Sequence, residues 1–403
     1  MKNNVCIITG IVILALAFTG CTRQSESPTL TTTQPTSTQT VAPTTTPPKL
    51  IQTPVVTSIS PQTRPIGSVA DLEATIESVY AQTNSSLVNI RVILPASLTG
   101  PAGAALGSGF VWDSQGNIVT NNHVVAGATH ITITFFDGTT VDGSLVGADP
   151  DSDLAVVKVN TDAVRLQPVT LGDSTQLKVG QLAIAIGNPF GLQGTLTVGF
   201  VSSLGRVLPA NENTVGPTYS IPDVLQTDAA INPGNSGGVL LDAAGKVIGV
   251  TSSIATTSGT SAGVGFAIPS AIVQQVVPML IKTGHYDHPY LGVSVISLDP
   301  DLAKAMGLPL HQRGALVGTV TPGSPADKAG IQPSNTPVTI NGRRMSVGGD
   351  VITAYNSQTV KSSDDLITFL ARSGSVGQTI SLTVLRGGKE IQVQVTLVVR
   401  PTS

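Results

Sequence analysis

The sequence predicts a mainly β chain whose C-terminal part turns α+β. Three observations carry this. Between about residues 87 and 269, short apolar runs recur between Gly, Asp and Asn punctuation. The first stripe with helical core spacing comes only at 270–284. Beyond about 286, strand-like segments alternate with short stretches that open on serine caps. At about 150 residues per domain, a chain of 403 residues holds two to three domains.

The elements follow in chain order. Residues 1–21 have the layout of a secretory segment. Lys2 precedes the mostly apolar run Val5–Phe18, 14 residues long, where a membrane span needs about 20. The run closes on Ala17-Phe18-Thr19-Gly20-Cys21, small residues before a cysteine. That end resembles a bacterial lipobox and makes Cys21 the candidate lipid-attachment site, with an uncleaved anchor or an ordinary signal as alternatives. Each reading places the remainder outside the cytoplasm, and lipidation attaches it to the outer face of the cell membrane. Residues 22–65 hold 14 Thr, 5 Ser and 8 Pro among 44 residues. Such a composition builds no core and predicts a disordered, semi-extended stalk.

Phe110-Val111-Trp112 and Asn117–Val125 flank a turn at Ser114-Gln115-Gly116. Ile131–Phe135 alternates and turns at Asp137-Gly138. Leu154–Val159, Leu182–Ile186, Thr195–Val201, Val239–Leu241 and Val247–Val250 are further strands. So many short strands predict a sandwich or barrels. Ile272, Val276 and Leu280, with Val273, Val277 and Ile281, then form an i, i+4 stripe after Ser270, the expected N-cap. Pro278 is expected to kink that helix.

Composition excludes several classes. Charged residues make up 11% of the chain and the net charge is −3, so there is no basic excess to neutralise a phosphate backbone, which disfavours nucleic-acid binding. Glycine shows no G-x-y period, charged heptads are missing, and 40% hydrophobic residues exclude whole-chain disorder. Cys6 and Cys21 are the only cysteines. The folded part therefore has no internal disulfide and no thiolate metal site.

Three residues fit a charge-relay constellation. His123 lies in Thr120–Val125, Asp153 opens Asp153–Lys158, and Ser236 lies in Asn232–Gly238. A serine hydroxyl becomes a nucleophile when imidazole takes its proton, and a buried carboxylate fixes the imidazole tautomer. Asp149 and Asp151 compete with Asp153, and Asp149-x-Asp151-x-Asp153 resembles a calcium loop without its Gly and Glu. Asp153 is preferred because it alone abuts an apolar strand. Gly234–Gly238 also matches G-x-S-x-G of α/β-hydrolases. But Ser236 is followed by Val239–Leu241, a turn and Lys246–Val250, not by a helix. H-E-x-x-H is absent, which disfavours a metalloprotease.

Gly107-Ser108-Gly109-Phe110, Thr120–Val125, Ser152–Val159, Ile184–Pro189 and above all Gln226–Gly238 resemble the HtrA (Deg) family of trypsin-like serine proteases. Val239 departs from the family's usual Pro. The resemblance covers roughly 75–400. It implies a chymotrypsin-like double β-barrel, the triad His123, Asp153 and Ser236, and an oxyanion hole from Gly234 and Ser236 with Asn235 assisting. Trypsin-type pockets select Lys or Arg through a carboxylate six residues before the nucleophile. That position is Ala230 here, which predicts a preference for small or medium apolar side chains such as Val or Ala, in a pocket walled by about Val250–Ser252.

From about 286, Tyr290-Leu291-Gly292-Val293, Gly314–Val320, Pro322–Gly330, Gly349–Ile352, Ser362–Arg372 and the hairpin at Arg386–Lys389 resemble a bacterial PDZ domain, with an insertion at Gln332–Val347. This implies strand addition of a peptide beside Tyr290–Val293, with Leu366 and Leu370 facing either the groove or the core. The expected organisation is 1–21 signal or lipobox segment, 22–65 stalk, 66–284 protease domain and 285–403 PDZ domain. The expected function is an extracytoplasmic, membrane-tethered serine endopeptidase for unfolded or damaged proteins. No metal or other cofactor is called for. Its expected partners are unfolded substrates and C-terminal peptides, and the resemblance implies a homotrimer. The alternative is an inactive PDZ adaptor or holding chaperone.

Overall fold

The computed structural model describes residues 68–96, 102–162, 164–188, 194–208, 220–252 and 263–401. The signal segment, Cys21 and the stalk lie outside them. Helix α1 (Val69–Thr83) opens the described chain. Six strands then close a barrel in the order β1-β2-β3-β6-β5-β4: β1 (Leu87–Leu94), β2 (Gly103–Val111), β3 (Asn117–Thr120), β4 (His130–Phe135), β5 (Thr140–Asp149) and β6 (Leu154–Val159). Helix α2 (Asn122–Val125) follows β3. A second closed barrel runs β10-β11-β12-β9-β8-β7: β7 (Leu182–Gly187), β8 (Thr195–Leu208), β9 (Ile221–Thr227), β10 (Val239–Leu241), β11 (Val247–Ser252) and β12 (Gly265–Pro269). Helix α3 (Ser270–Thr283) ends this half.

The apolar runs have a physical reason. In β6, Ala155, Val157 and Val159 fill the first barrel, whereas Leu154 and Val156 point outward into a second core. That second core also takes Ile184, Ile186, Val239 and Leu241 from the other barrel, and Val273, Val276, Val277 and Leu280 from α3. Inside the second barrel lie Ala183, Ala185 and Leu240. Successive side chains of a strand face opposite ways, so a strand buried on both faces reads as an unbroken apolar run. By contrast β4 is covered on one face, and only Ile131, Ile133 and Phe135 are buried.

Three expectations need correction. Helix α1 is absent from the strand pattern, yet Ser68 and Asp71 form a capping box and Val79 and Thr83 are buried at i, i+4. Asn117–Val125 is not one strand: β3 stops at Thr120 and α2 follows, placing His123 on a helical turn. The N-cap of α3 is Pro269, not Ser270. The Ser270 hydroxyl instead donates to the Gly172 carbonyl at 2.8 Å and accepts from the Ser174 N–H at 3.1 Å, tying the helix to the preceding loop. Pro278 lies inside the helix on its exposed side, and Gly284 ends it at φ +81.

The C-terminal region is a sheet of order β14-β15-β18-β20-β21. It contains β13 (Pro289–Tyr290), β14 (Val293–Ser297), α4 (Pro300–Ala305), β15 (Ala315–Val320) and α5 (Pro325–Lys328). The insertion is a hairpin of β16 (Thr336–Ile340) and β17 (Arg343–Val347). Its Val338, Ile340 and Met345 pack beside Leu298 and Leu302, which leaves Arg343 and Arg344 exposed. There follow β18 (Val351–Tyr355), β19 (Gln358–Thr359), α6 (Ser363–Ser373), β20 (Thr379–Arg386), β21 (Lys389–Thr396) and β22 (Val398–Val399), which pairs with β13. Helix α6 also packs on β8 and β9, so Pro65–Ser403 forms one unit. Among the described residues no helix is long and apolar enough to cross a membrane.

Candidate active site

Asp153 ends the turn between β5 and β6. It sits at φ +54, a left-handed conformation that Asp tolerates through local hydrogen bonding, and it is 2% exposed. Burying a carboxylate is costly unless it is hydrogen-bonded, and this one is held on both oxygens. The His123 N–H donates to Oδ1 at 3.0 Å, His123 Nδ1 stands 2.9 Å from Oδ2, and the Ser252 hydroxyl donates to Oδ2 at 3.1 Å. The Asp153 carbonyl accepts from Asn122 N–H at 3.1 Å and Asn121 Nδ2 at 2.9 Å. The carboxylate thus favours a proton on Nδ1, which leaves a lone pair on Nε2. The His123 side chain remains 31% exposed.

Ser236 comes from the second barrel, on the loop before β10. Asn232-Pro233-Gly234-Asn235 is a type II turn: Gly234 has φ +94 and Asn235 N–H donates to the Asn232 carbonyl at 2.9 Å. Ser236 is buried, and its carbonyl accepts from Ser108 N–H at 2.7 Å. Gly107 joins the two halves. A methyl there would stand 2.6 Å from Val124 Cγ1, next to His123, and 3.3 Å from the Ser236 carbonyl oxygen. Asn235 turns its side chain toward Gly187, where a Cβ would meet Asn235 Oδ1 at 2.8 Å, and that buried oxygen has no partner.

Ala230, six residues before Ser236, is half-buried, and its carbonyl accepts from Thr197 Oγ1 at 2.9 Å. Val250, Thr251 and Ser252 are fully or almost fully buried on β11.

A concavity of about 470 Å³ lies between β14 and α6. Leu291, Val293, Leu366 and Leu370 line it, together with Pro222 and Asp151 from the barrel half. Leu366 is 2% exposed and also belongs to the core of its own domain, so it lines the concavity from within that core. Gly292 has φ +86 and sits against Ser324, where no side chain fits. The Leu291 carbonyl accepts from Ala326 N–H at 3.0 Å and the Gly292 carbonyl from Thr321 N–H at 2.9 Å. In planar trans peptides this aims the N–H groups of Gly292 and Val293 away from that loop.

Asp153 is not the only buried acid of its turn. Asp149 is 5% exposed, and His288 Nε2 lies 2.9 Å from both its oxygens. Asp151 accepts from Arg400 Nη1 at 2.7 Å. Asp149, Asp151 and His288 lie close enough to share an ion, but the His288 contact to Asp149 and the Arg400 pair to Asp151 already tie these carboxylates into a polar joint between the two halves. Sequence reasoning places Ser252 only in the pocket wall and misses both its bond to Asp153 and this joint. Ser252 carries no motif, and the joint pairs residues 139 and 249 positions apart.

Two barrels with this loop pairing define a trypsin-like protease fold carrying a PDZ domain. Residues 107–250 match the family model for the trypsin-like peptidase domain, and 289–397 match the PDZ domain. The chain belongs to the HtrA family of trypsin-like serine proteases. It is 43% identical over 295 residues to Protease Do-like 1, chloroplastic, of Arabidopsis thaliana, covering 73% of this chain and 64% of that one. It is 44% identical over 302 residues to a probable periplasmic serine endoprotease DegP-like of Hahella chejuensis, covering 75% and 59%. The chain thus spans about three fifths of the length of these curated relatives. A solved structure of the HtrA-type protease AlgW with tripeptide superposes with a TM-score of 0.64 at 35% identity, covering 81% of this chain and 98% of that one.

Proposed function

We propose that this chain is an extracytoplasmic serine endopeptidase that cleaves unfolded or damaged proteins. Residues 66–284 act as the protease and 285–403 as a PDZ module that captures peptide C-termini. The observation that carries the reading is the His123 imidazole docked through Nδ1 on the buried Asp153 carboxylate. Ser236 Oγ attacks the scissile carbonyl carbon while its proton passes to His123 Nε2. The Gly234 and Ser236 N–H groups hold the oxyanion, with Asn235 between them. The C–N bond then breaks, and His123 gives its proton to the leaving amine. Water, deprotonated by the same imidazole, releases the acyl group and regenerates Ser236. Asp153 stays ionised throughout. The groove beside Tyr290, Leu291, Gly292 and Val293 receives an extended peptide as an added strand, its carboxylate on the N–H groups of Gly292 and Val293. The similar HtrA-type protease AlgW has been solved with a tripeptide, which supports peptide binding by this chain. Cys21 tethers the protein to the membrane, and three copies assemble through the N-terminal part of the protease domain.

The test is Ser236→Ala with casein as substrate. Cleavage should vanish, chelators should leave the wild type unchanged, and a fluorophosphonate should label the wild type but not the variant. An unlabelled wild type without proteolysis would establish the adaptor or chaperone reading instead.

A further inference from the structure

The Ser236 loop is pinned peptide by peptide, and two hydroxyls outside the triad do the pinning. The Gly234 carbonyl accepts from Ser108 Oγ at 2.6 Å, while the N–H of the same peptide, on Asn235, donates to Asn232 at 2.9 Å. The Asn235 carbonyl accepts from Thr251 Oγ1 at 2.6 Å and from Gly238 N–H at 2.9 Å. The Ser236 carbonyl is held by Ser108 N–H. Ser108 and Thr251 are both fully buried. Ser108 Oγ also accepts the Asn188 N–H at 2.7 Å, which fixes its own proton on the Gly234 carbonyl. Thr251 is fixed by its backbone, its N–H donating to Gly238 at 3.0 Å and its carbonyl accepting from Gly237 at 2.9 Å.

We propose that Ser108 and Thr251 are positioning residues that aim the oxyanion donors of the Ser236 loop. In a planar trans peptide the N–H points opposite to the C=O. Holding the Asn235 carbonyl on Thr251 therefore directs the Ser236 N–H the other way. Holding the Gly234 carbonyl on Ser108 fixes the peptide that follows Gly234, so the turn cannot rotate about its left-handed glycine. Donors that are already aligned need no reorganisation as charge develops on the substrate oxygen. Without the hydroxyls, the two carbonyls lose partners in a buried site, and the peptides rotate to recover them.

The inference rests on the assignment of Ser236 as nucleophile, and the experiment separates the two. Thr251→Val removes the hydroxyl at constant volume, Thr251→Ser keeps it, and Ser108→Ala removes the other without overpacking. Two inhibitors are compared in the full chain: a peptidyl boronic acid, whose tetrahedral adduct places an oxygen at the oxyanion position, and the corresponding product peptide acid, which adds to nothing. Thr251→Val and Ser108→Ala should lower kcat on a short chromogenic peptide by about 10- to 100-fold and raise the boronate Ki in proportion. KM and the product Ki should stay put, and Thr251→Ser should recover most of the loss. Inhibition constants do not depend on the fraction of folded enzyme, so poor folding cannot imitate this pattern. An unchanged boronate Ki in both variants, or equal weakening of boronate and product, overturns the proposal. Activity in a parallel Ser236→Ala control would instead remove the nucleophile assignment beneath it.

Discussion

Arg372 Nε and Nη2 lie 2.5 and 2.6 Å from the two carboxylate oxygens of Asp223, a bidentate pair between PDZ helix α6 and strand β9 of the second barrel. Asp223 is fully buried and has φ +60. The Arg372 carbonyl also accepts from Gln275 Nε2 on α3 at 2.9 Å, so one residue of α6 touches two elements of the protease domain. Burial pushes the Asp223 carboxyl above its ordinary value of 3.8, and Arg372 pulls it partly back. Strand β9 runs directly into Asp228–Ala230 and the Ser236 loop, so the pair anchors the segment that shapes the site.

Arg372→Ala strands a buried carboxylate and should cost about 3 kcal/mol, the low end for such pairs because the guanidinium is 29% exposed. The double change Asp223→Asn with Arg372→Met should cost less, since Asn tolerates the left-handed backbone. The pH dependence has a definite sign. A carboxyl whose pKa is raised on folding binds its proton more tightly in the folded state. Its contribution is complete below 3.8 and is lost as pH rises through the folded value. Asp223→Asn removes that loss, so its Tm relative to wild type should improve between acid and neutral pH. A Tm difference independent of pH would contradict the assignment.

Much of this architecture is legible along the chain because the signal is local. Alternation marks β4, the Ser362 cap marks α6, and the runs around His123, Asp153 and Ser236 carry family motifs. Long-range pairs leave no such trace. Asp223 and Arg372 are 149 positions apart, and each alone reads as an ordinary surface charge. Asp153 abuts an apolar strand and faces His123, whereas no local signal marks Asp149 as buried too. Its partner His288 lies in another domain. Helix α1 was hidden because its N-terminal half is exposed, with Val69 73% and Leu72 46% accessible, so no full apolar stripe forms.

The Asp153 environment gives a second prediction. Asp153→Asn keeps the hydrogen-bond geometry but presents the wrong group to His123 Nδ1, and turnover should fall by about 10⁴ with the fold intact. Ser252→Ala removes one of the carboxylate's donors and should cost far less, about 3- to 30-fold in kcat, since both His123 bonds remain. Steady-state kinetics with circular dichroism as a folding control decides both. A larger loss in Ser252→Ala than in Asp153→Asn would reverse the roles.

Specificity follows from the wall below Ser236. No carboxylate stands at Ala230, so nothing at that position would neutralise a Lys or Arg side chain entering the pocket. Cleavage should fall after Val, Ala and similar residues, read by mass spectrometry of casein digests. Cuts mainly after Lys or Arg would refute the assignment of this wall.

The last prediction concerns what the PDZ module does for catalysis. Only residues 284–288 separate α3 from β13, and each spans at most about 3.5 Å, so a captured peptide stays near the protease body. Deleting 286–403 would be a poor test, because it also strips Arg372 from Asp223. Gly292→Ala is cleaner: at φ +86 the new Cβ runs into the Ser324 side chain and distorts the groove, leaving the Asp223 pair untouched. It should abolish binding of a peptide with a free C-terminus, measured by fluorescence anisotropy. If capture only raises local substrate concentration, the variant should cleave large unfolded proteins more slowly and a short chromogenic peptide at the wild-type rate. A free peptide added in trans to wild type would then compete with the large substrate and leave the short one unaffected. Stimulation of short-peptide hydrolysis by that peptide, lost in Gly292→Ala, would mean something else: the peptide has unequal affinity for two states of the Ser236 loop. Tethering needs no such second state, and two carbonyls of the Ser236 loop are already held by Ser108 and Thr251. We therefore expect competition rather than stimulation, and equal handling of both substrates by Gly292→Ala would remove the groove from proteolysis altogether.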